Sequence, residues 1–268
     1  GISPGKIRIK ASLTFHDNSV TVDFAGTSAA VTGNINCPLS VTAAAVYYSI
    51  YALMPEGTPA CMGSMRPIDI RAPKGCLLNA EFPAAVAAGN VETSQRVVDV
   101  LLMAIAKAIP NRIPASSQGT MNNIAMGGKN WDYYETIGGG TGAHSKARGL
   151  DGTHSHMTNT LNTPIEILET SYPLRVLRYS FRKNTGGKGT HRGGDGLSRH
   201  YQFLSDTEVT ILSERRASSP KGLNGGQSGK SGGNFFNSEM VPGKVQISAK
   251  AGDSLLIETP GGGGWGKD

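Results

Sequence analysis

The chain opens on an alternation of apolar and polar residues that specifies strands. Ile7, Ile9, Leu13 and Phe15 fall in one phase and Val20, Val22 and Phe24 in another, with the polar turn His16-Asp17-Asn18 between them, so residues 6–24 are predicted to form a hairpin. His16 reads as a turn residue with no further role. After a loop of small residues, positions 41–54 are almost wholly apolar up to Pro55, which predicts a buried helix whose Tyr47, Tyr48 and Tyr51 are packing groups. Residues 55–90 are broken by proline and glycine, with a short strand near 68–71. The period then changes. Over 95–109 the stripe Val97, Leu101, Ile105 and Ile109, widened by Val98 and Leu102, predicts a core-facing helix. Thr93 or Ser94 can cap it and Pro110 ends it.

Beyond residue 120 the pattern is short strands between glycine turns. Residues 174–182 alternate, with Leu177, Tyr179 and Phe181 on one face and Arg178 and Arg182 on the other; 201–204, 209–213, 244–248 and 254–258 read as further strands. The expected fold is therefore α+β: two main helices on a mixed or antiparallel sheet, then a sandwich- or barrel-like half rich in glycine turns. The expected division is an α+β region at 1–120 and a β-rich region at 121–268, with one continuous domain as the alternative. The closing run Pro260-Gly261-Gly262-Gly263-Gly264-Trp265-Gly266 reads as neither a regular element nor a plain linker.

Composition narrows the function classes. Glycine numbers 36, an excess without period, which excludes collagen. The net charge of +6 is spread out; Arg192, Arg199, Arg215 and Arg216 make no basic run, so the expected partners include no nucleic acid. No apolar run has the length of a membrane span, and no membrane partner is expected. Cys37, Cys61 and Cys76 form no CxxC pair and no even framework, which points to a reducing cytoplasm. The chain begins with Gly1 and a strand follows almost at once, so it reads as a piece of something longer.

Candidate chemistry concentrates between Tyr133 and Glu169. That stretch holds His144, His154 and His156, together with Glu135, Asp151, Glu166, Glu169 and the run Gly138-Gly139-Gly140-Thr141-Gly142. A long surface loop with solvated histidines accounts for the same composition. On a strand, His154 and His156 would point the same way, and with Asp151 they would make a weak metal-ligand set; two polar loop histidines are the plainer reading. His144 follows the glycine run and can serve as an acid or base. Glu166 and Glu169 are either a buried pair or, more commonly, one exposed and one bound to Arg175 or Arg178. Residues 184–194 join two strands, and their amides beside Lys188 and Arg192 can cradle an anion; a sheet-edge turn explains them as well. The stretch 224–231 imitates a phosphate loop, but Asn224 replaces the first glycine and no strand–helix context surrounds it. Gly229-Lys230-Ser231-Gly232-Gly233 fits a nucleophile-elbow pattern only by its glycine content.

Taken in order, DFAGTS at 23–28, GNIN at 33–36, RPIDIRAPKG at 66–75, GNVETSQRVVDVLLMA at 89–104, YYETIGGGTGA, DGTHSHMTNTLNTPIEILE, TGGKGTHRGGDG and the terminal TPGGGGWG resemble the B subunit of the hydantoinase/oxoprolinase family over nearly the whole chain. The resemblance implies ATP-dependent opening of a cyclic amide such as 5-oxoproline or a hydantoin. The related acetone and acetophenone carboxylases imply ATP-dependent carboxylation instead, and a non-catalytic assembly module is a third possibility. It further implies ATP bound by a hydantoinase A-like partner subunit rather than by this chain, an upstream half of the B subunit that supplies most ligands of a divalent metal, and a hetero-oligomer. The sequence departs from the family in beginning after that His- and Asp-rich half. It also carries Asn184-Thr185-Gly186-Gly187 where the family has an acidic DSGG turn, which weakens a catalytic role there. The candidate catalytic residues are Glu135, His144, Asp151, His154, His156 and Asn159, with Gly139, Gly140 and Arg192 as the substrate or anion contacts.

Overall fold

A computed structural model of the chain describes residues 7–268. Lys6, where the expected hairpin begins, lies outside the described residues. The chain divides into two compact units between Ile113 and Pro114 rather than at the expected 120/121. Residues 115–118 go with the second unit because Ala115 N donates to Ala143 O at 2.8 Å and Gln118 N to Gly140 O at 2.9 Å.

The first unit contains β1 (Ser12–Phe15), β2 (Val20–Asp23), α1 (Leu39–Tyr51), α2 (Met62–Met65), β3 (Ile68–Arg71) and α3 (Ser94–Ile105). β2 pairs antiparallel with β1 (Leu13 opposite Val22) and parallel with β3 (Val22 opposite Ile70). The hairpin is shorter than its alternation, because the amides of Arg8 and Lys10 bind the hydroxyls of Ser28 (2.9 Å) and Thr27 (3.2 Å) instead of a strand partner. α3 packs on α1 through the predicted stripe, with Val97, Val98, Leu101, Leu102 and Ile105 buried. Its start and end differ from expectation. Thr93 has helical φ of −66° and caps nothing with its side chain; a π-helical turn at Gly89–Thr93 precedes the helix. Gly89 is obligatory there, since a Cβ would sit 2.1 Å from Asn36 O. Ile109 falls beyond the last helical turn. Cys37 and Cys76 are buried and Cys61 exposed, all free thiols; burial pushes Cys37 up to about 12.

The second unit is a sandwich. One sheet has the order β11 (Lys244–Ala249), β8 (Thr207–Leu212), β4 (Asn123–Gly128), β5 (Trp131–Thr136). The other runs β10 (Glu239–Met240), β9 (Gly233–Phe236), β12 (Ser254–Glu258), β7 (Gly196–Phe203), β6 (Leu174–Arg182), with α4 (Ile165–Ser171) packed on β6. Ile124, Met126, Val209 and Ile211 of the first meet Tyr201, Phe203, Leu255 and Ile257 of the second in one core. With four α-helices and three sheets among the described residues, the α+β expectation stands; neither sheet closes into a barrel. On β6 a bulge between Val176 and Arg178 resets the phase, so Leu177 does not share a register with Tyr179 and Phe181.

The glycine segments make a third kind of structure in this unit. The run after Pro260 hydrogen-bonds with a period of three. Gly261 and Gly264 donate to Lys230 O (3.1 Å) and Gln227 O (2.9 Å), and Gly262 and Trp265 donate to Gly194 O (2.9 Å) and His191 O (2.8 Å). Gly263 turns to a third neighbour, donating to Ser116 O at 2.8 Å. Bonds radiating to several sides every third residue are the signature of an extended three-per-turn helix, not of a flat ladder. Such chains approach too closely for side chains. A Cβ at Gly262 would lie 1.9 Å from Thr141 O.

Candidate functional site

Period two on β5 turns Tyr133 and Glu135 inward, and period two on β7 turns Leu197, Arg199, Tyr201 and Phe203 inward from the opposite sheet. Glu135 and Arg199 therefore meet across the sandwich, with Arg199 Nη2 donating to Glu135 Oε1 at 3.1 Å and side chains 3% and 0% exposed. Tyr201 Oη donates to Glu135 Oε2, Arg199 Nε to Tyr201 Oη at 3.1 Å, and Asn162 Nδ2 to Glu135 Oε1 at 2.9 Å. The Tyr179 ring lies over the guanidinium, 4.3 Å from Cζ, and its hydroxyl donates to Asn162 Oδ1 at 3.0 Å. Arg199 Nη1 is buried with no hydrogen-bond partner. Burial pushes Tyr133 up to about 12, with the Glu135 carboxylate adding to the effect.

His154 is the candidate histidine that this network reaches. Gly139 and Thr153 exchange two backbone bonds (3.0 and 2.8 Å), which fixes His154 beside the end of β5. Its Nδ1 is buried without a partner, and its Nε2 stands 3.5 Å from Thr160 Oγ1. Burial lowers its pKa more than Glu135 raises it. The neutral imidazole thus persists to lower pH than in a free histidine, as a general base requires.

The remaining candidates lie elsewhere. Asp151 binds Arg148 and Arg192, and its Oδ1 accepts the Asp195 amide at 2.7 Å. Arg192 spans Asp151 and Asp195, both at 3.1 Å, so its charge is matched internally rather than held for an anion. The amides of Gly139 and Gly140 are spent on Thr153 O and Pro260 O, and those of Thr185 and Gly186 on Asp195 Oδ1 (2.8 and 2.9 Å). The expected anion cradle is instead glycine-bundle packing. His156 takes a left-handed φ of 58°, which breaks the strand that would have aligned it with His154. Among the described residues no three His, Cys, Asp or Glu side chains gather as metal ligands, so Asp151, His154 and His156 do not make the expected set. His144 is exposed, with Nδ1 accepting the Lys146 amide at 3.2 Å, and Asn159 is exposed. Glu166 and Glu169 are both exposed on α4; Glu169 accepts the Val176 amide at 2.7 Å rather than binding Arg175 or Arg178. A cavity of about 420 Å³ lies beside Tyr179, lined also by Asp151, Gly152, Ser180, Phe181, Lys183 and Leu197.

Sequence reasoning passed over Arg199, Tyr201, Tyr179 and Asn162. One signal was present: in Leu197–Phe203 an arginine occupies the apolar phase of an otherwise clean alternation. Asp195 also escaped notice. Burial raises its carboxyl, but the Gly186 and Thr185 amides and Arg192 outweigh burial and hold it below the usual carboxylate range. Its stabilising contribution is present above the unfolded carboxylate value and is lost as pH falls through the folded one. We expect Asp195→Asn to flatten the acid limb of stability against pH, as read by denaturant midpoints between pH 2 and 5, the span of ordinary carboxylate titration, on the order of one or two units either side of 4.

Fold and site together define an α+β scaffold in which two facing sheets enclose a buried, hydrogen-bonded ion pair next to a glycine bundle. The hydantoinase B/oxoprolinase family model matches residues 2–268, and the chain belongs to that family. It is 44% identical over 267 residues to 5-oxoprolinase 1 of Arabidopsis thaliana, covering 98% of this chain and 21% of that protein. In fold it is similar to the ATP-dependent caprolactamase of Pseudomonas jessenii (TM-score 0.83, 23% identity, 97% of this chain and 48% of that one). It is also similar in fold to acetone carboxylase in a nucleotide-free structure (TM-score 0.81, 17% identity, 96% and 41%). The chain thus spans about a fifth of the curated relative and less than half of either solved one. Among the described residues no helix is long and apolar enough to cross a membrane.

Proposed function

We propose that this chain works as a B-subunit-type part of an ATP-dependent cyclic amidohydrolase that opens 5-oxoproline or a hydantoin in the cytoplasm. The carrying observation is the near-complete match of the chain to a 5-oxoprolinase. A ring amide resists hydrolysis because its nitrogen leaves poorly and donates its lone pair toward the carbonyl oxygen. Transfer of the γ-phosphoryl of ATP to that oxygen, on an A-type partner subunit, exposes the carbon to water. Cleavage of the C–N bond needs a proton at nitrogen, and a second water releases phosphate. The part assigned to this chain is proton handling at His154, whose neutral imidazole accepts from water, with Glu135, Arg199 and Tyr133 setting the field around it. A divalent metal would be held by the family's other half; among the described residues no three His, Cys, Asp or Glu side chains gather as a donor set.

Fold likeness to acetone carboxylase favours one second reading, a ketone carboxylase subunit. The test is ATP hydrolysis by the assembly of this chain, the family's remaining half and an A-type partner, offered 5-oxoproline, a hydantoin or a small ketone, with and without bicarbonate. Stimulation by a ring amide without bicarbonate supports the proposal; stimulation by a ketone only with bicarbonate replaces it. Silence throughout leaves this chain an assembly module. In the active assembly, His154→Asn is expected to lower kcat about 100-fold or more, while His144→Ala leaves it unchanged. The acid limb of the rate profile should fall below the ordinary histidine value, because burial favours the neutral form.

A further inference from the structure

β6 is an outer strand of its sheet and, at nine residues, its longest. Proteins blunt such edges with short strands, prolines or inward charges, because an open row of amides and carbonyls recruits another strand. β6 is partly blunted, by a bulge at Val176–Arg178, by α4 packed on it and by its arginines, yet its later part presents apolar side chains to solvent. Glu169 of α4 takes the Val176 amide, and beyond that point Leu177, Tyr179 and Phe181 are 48%, 40% and 56% exposed. The 420 Å³ cavity opens beside Tyr179 and Phe181. On the other face Arg182 is matched by Glu258 at 3.0 Å, whereas Arg175 and Arg178 are exposed and, among the described residues, in no ion pair.

We propose that the Leu177–Arg182 stretch of β6 is the docking edge for an extended segment from the remaining half of the family's B-type polypeptide. The segment joins the sheet as a further strand. Its side chains alternate, apolar against Tyr179 and Phe181 with one seated in the cavity, and carboxylate against Arg178. Three observations select this occupant. Strand addition uses backbone bonds for affinity and alternate pockets for specificity, and the edge supplies both. The unmatched arginines call for acid. The solved relatives carry more than as much chain again as this sequence covers, 48% and 41% of their lengths being matched. The identity of the occupant rests on the B-subunit reading.

The test is amide hydrogen exchange across 177–183 in the complete protein, this chain together with the remaining half, before and after Phe181→Asp. Met240→Asp, at a still more exposed site on β10, is the control. The edge is expected to exchange roughly 100-fold more slowly than an open strand, at all protein concentrations. Phe181→Asp should abolish that protection and Met240→Asp should leave it intact. An edge that exchanges freely overturns the proposal. Protection that disappears on dilution assigns the edge to a second copy of the chain, and protection that needs added 5-oxoproline or hydantoin assigns it to a small ligand; either result overturns it as well. ATP turnover separates this from the proposed activity. A protected edge without ring-amide-dependent hydrolysis keeps the docking and removes the amidohydrolase, and the converse removes only the docking.

Discussion

Gly262→Ala is expected to destabilise the second unit by at least about 3 kcal/mol, the upper end of what overpacking costs. The added Cβ would stand 1.9 Å from Thr141 O and 2.2 Å from its carbonyl carbon, and both are backbone. A side chain in the way could rotate aside. Here relief requires moving a segment whose own amides and carbonyls are committed, Thr141 N to Leu150 O at 3.0 Å and Thr141 O to the Gly194 amide at 2.9 Å. Loss of those bonds leaves buried polar groups without partners, which adds to the steric cost. Gly63→Ala is the matched comparison. That glycine lies in a short helix where an added Cβ would stand 3.5 Å from Cys61 Sγ, an ordinary contact, so its replacement should shift stability by no more than about 0.5 kcal/mol. Denaturant unfolding of the two variants decides the matter; equal midpoints would show that the glycine bundle tolerates side chains.

The second large effect concerns Glu135 and Arg199. Removing either partner alone, by Glu135→Leu or Arg199→Met, leaves an uncompensated charge between the sheets and should cost about 3–5 kcal/mol. The double variant removes both charges and should recover most of that loss, because apolar side chains of similar volume suit the surrounding core of Ile124, Tyr201 and Ile257. Stability and activity are therefore expected to part company. The double variant folds, yet His154 loses the Glu135 carboxylate that opposes its burial, so its pKa should fall further and the acid limb of turnover should move to lower pH. A double variant as unstable as the singles would show that the network is needed for folding through Tyr201 and Asn162 and not through its charges.

How much of this was legible in the sequence depends on the range of the interaction concerned. The helices α1 and α3, the strand at Ile68–Arg71 and β6, β7, β8, β11 and β12 of the second unit follow from the apolar pattern, since a period of 3.6 or 2 is set by which face must leave water. β4, β5, β9 and β10 were not read from it. Arg199 shows the limit of that reasoning. Its phase marks it as inward, but only the opposite sheet, 64 residues earlier in the chain at Glu135, says why an arginine is tolerated there. The same holds for the glycine runs. In sequence they look like turns and anion cradles. In the fold their amides are consumed by other glycine segments, because extended chains without side chains can pack on several sides at once. His154 and His156 likewise read as a pair on a strand, and one left-handed residue separates them.

The sequence by itself determined the family, the α+β class and most strand positions, because the motif order and local periodicity are carried by neighbouring residues. Only the tertiary structure decided which polar groups work together. It joined Glu135 to Arg199 and His154, matched Arg192 to Asp151 and Asp195, and turned the C-terminal glycines into the axis of a packed bundle. Those outcomes depend on which segments lie side by side, and that is fixed by the burial of whole sheets rather than by any local pattern.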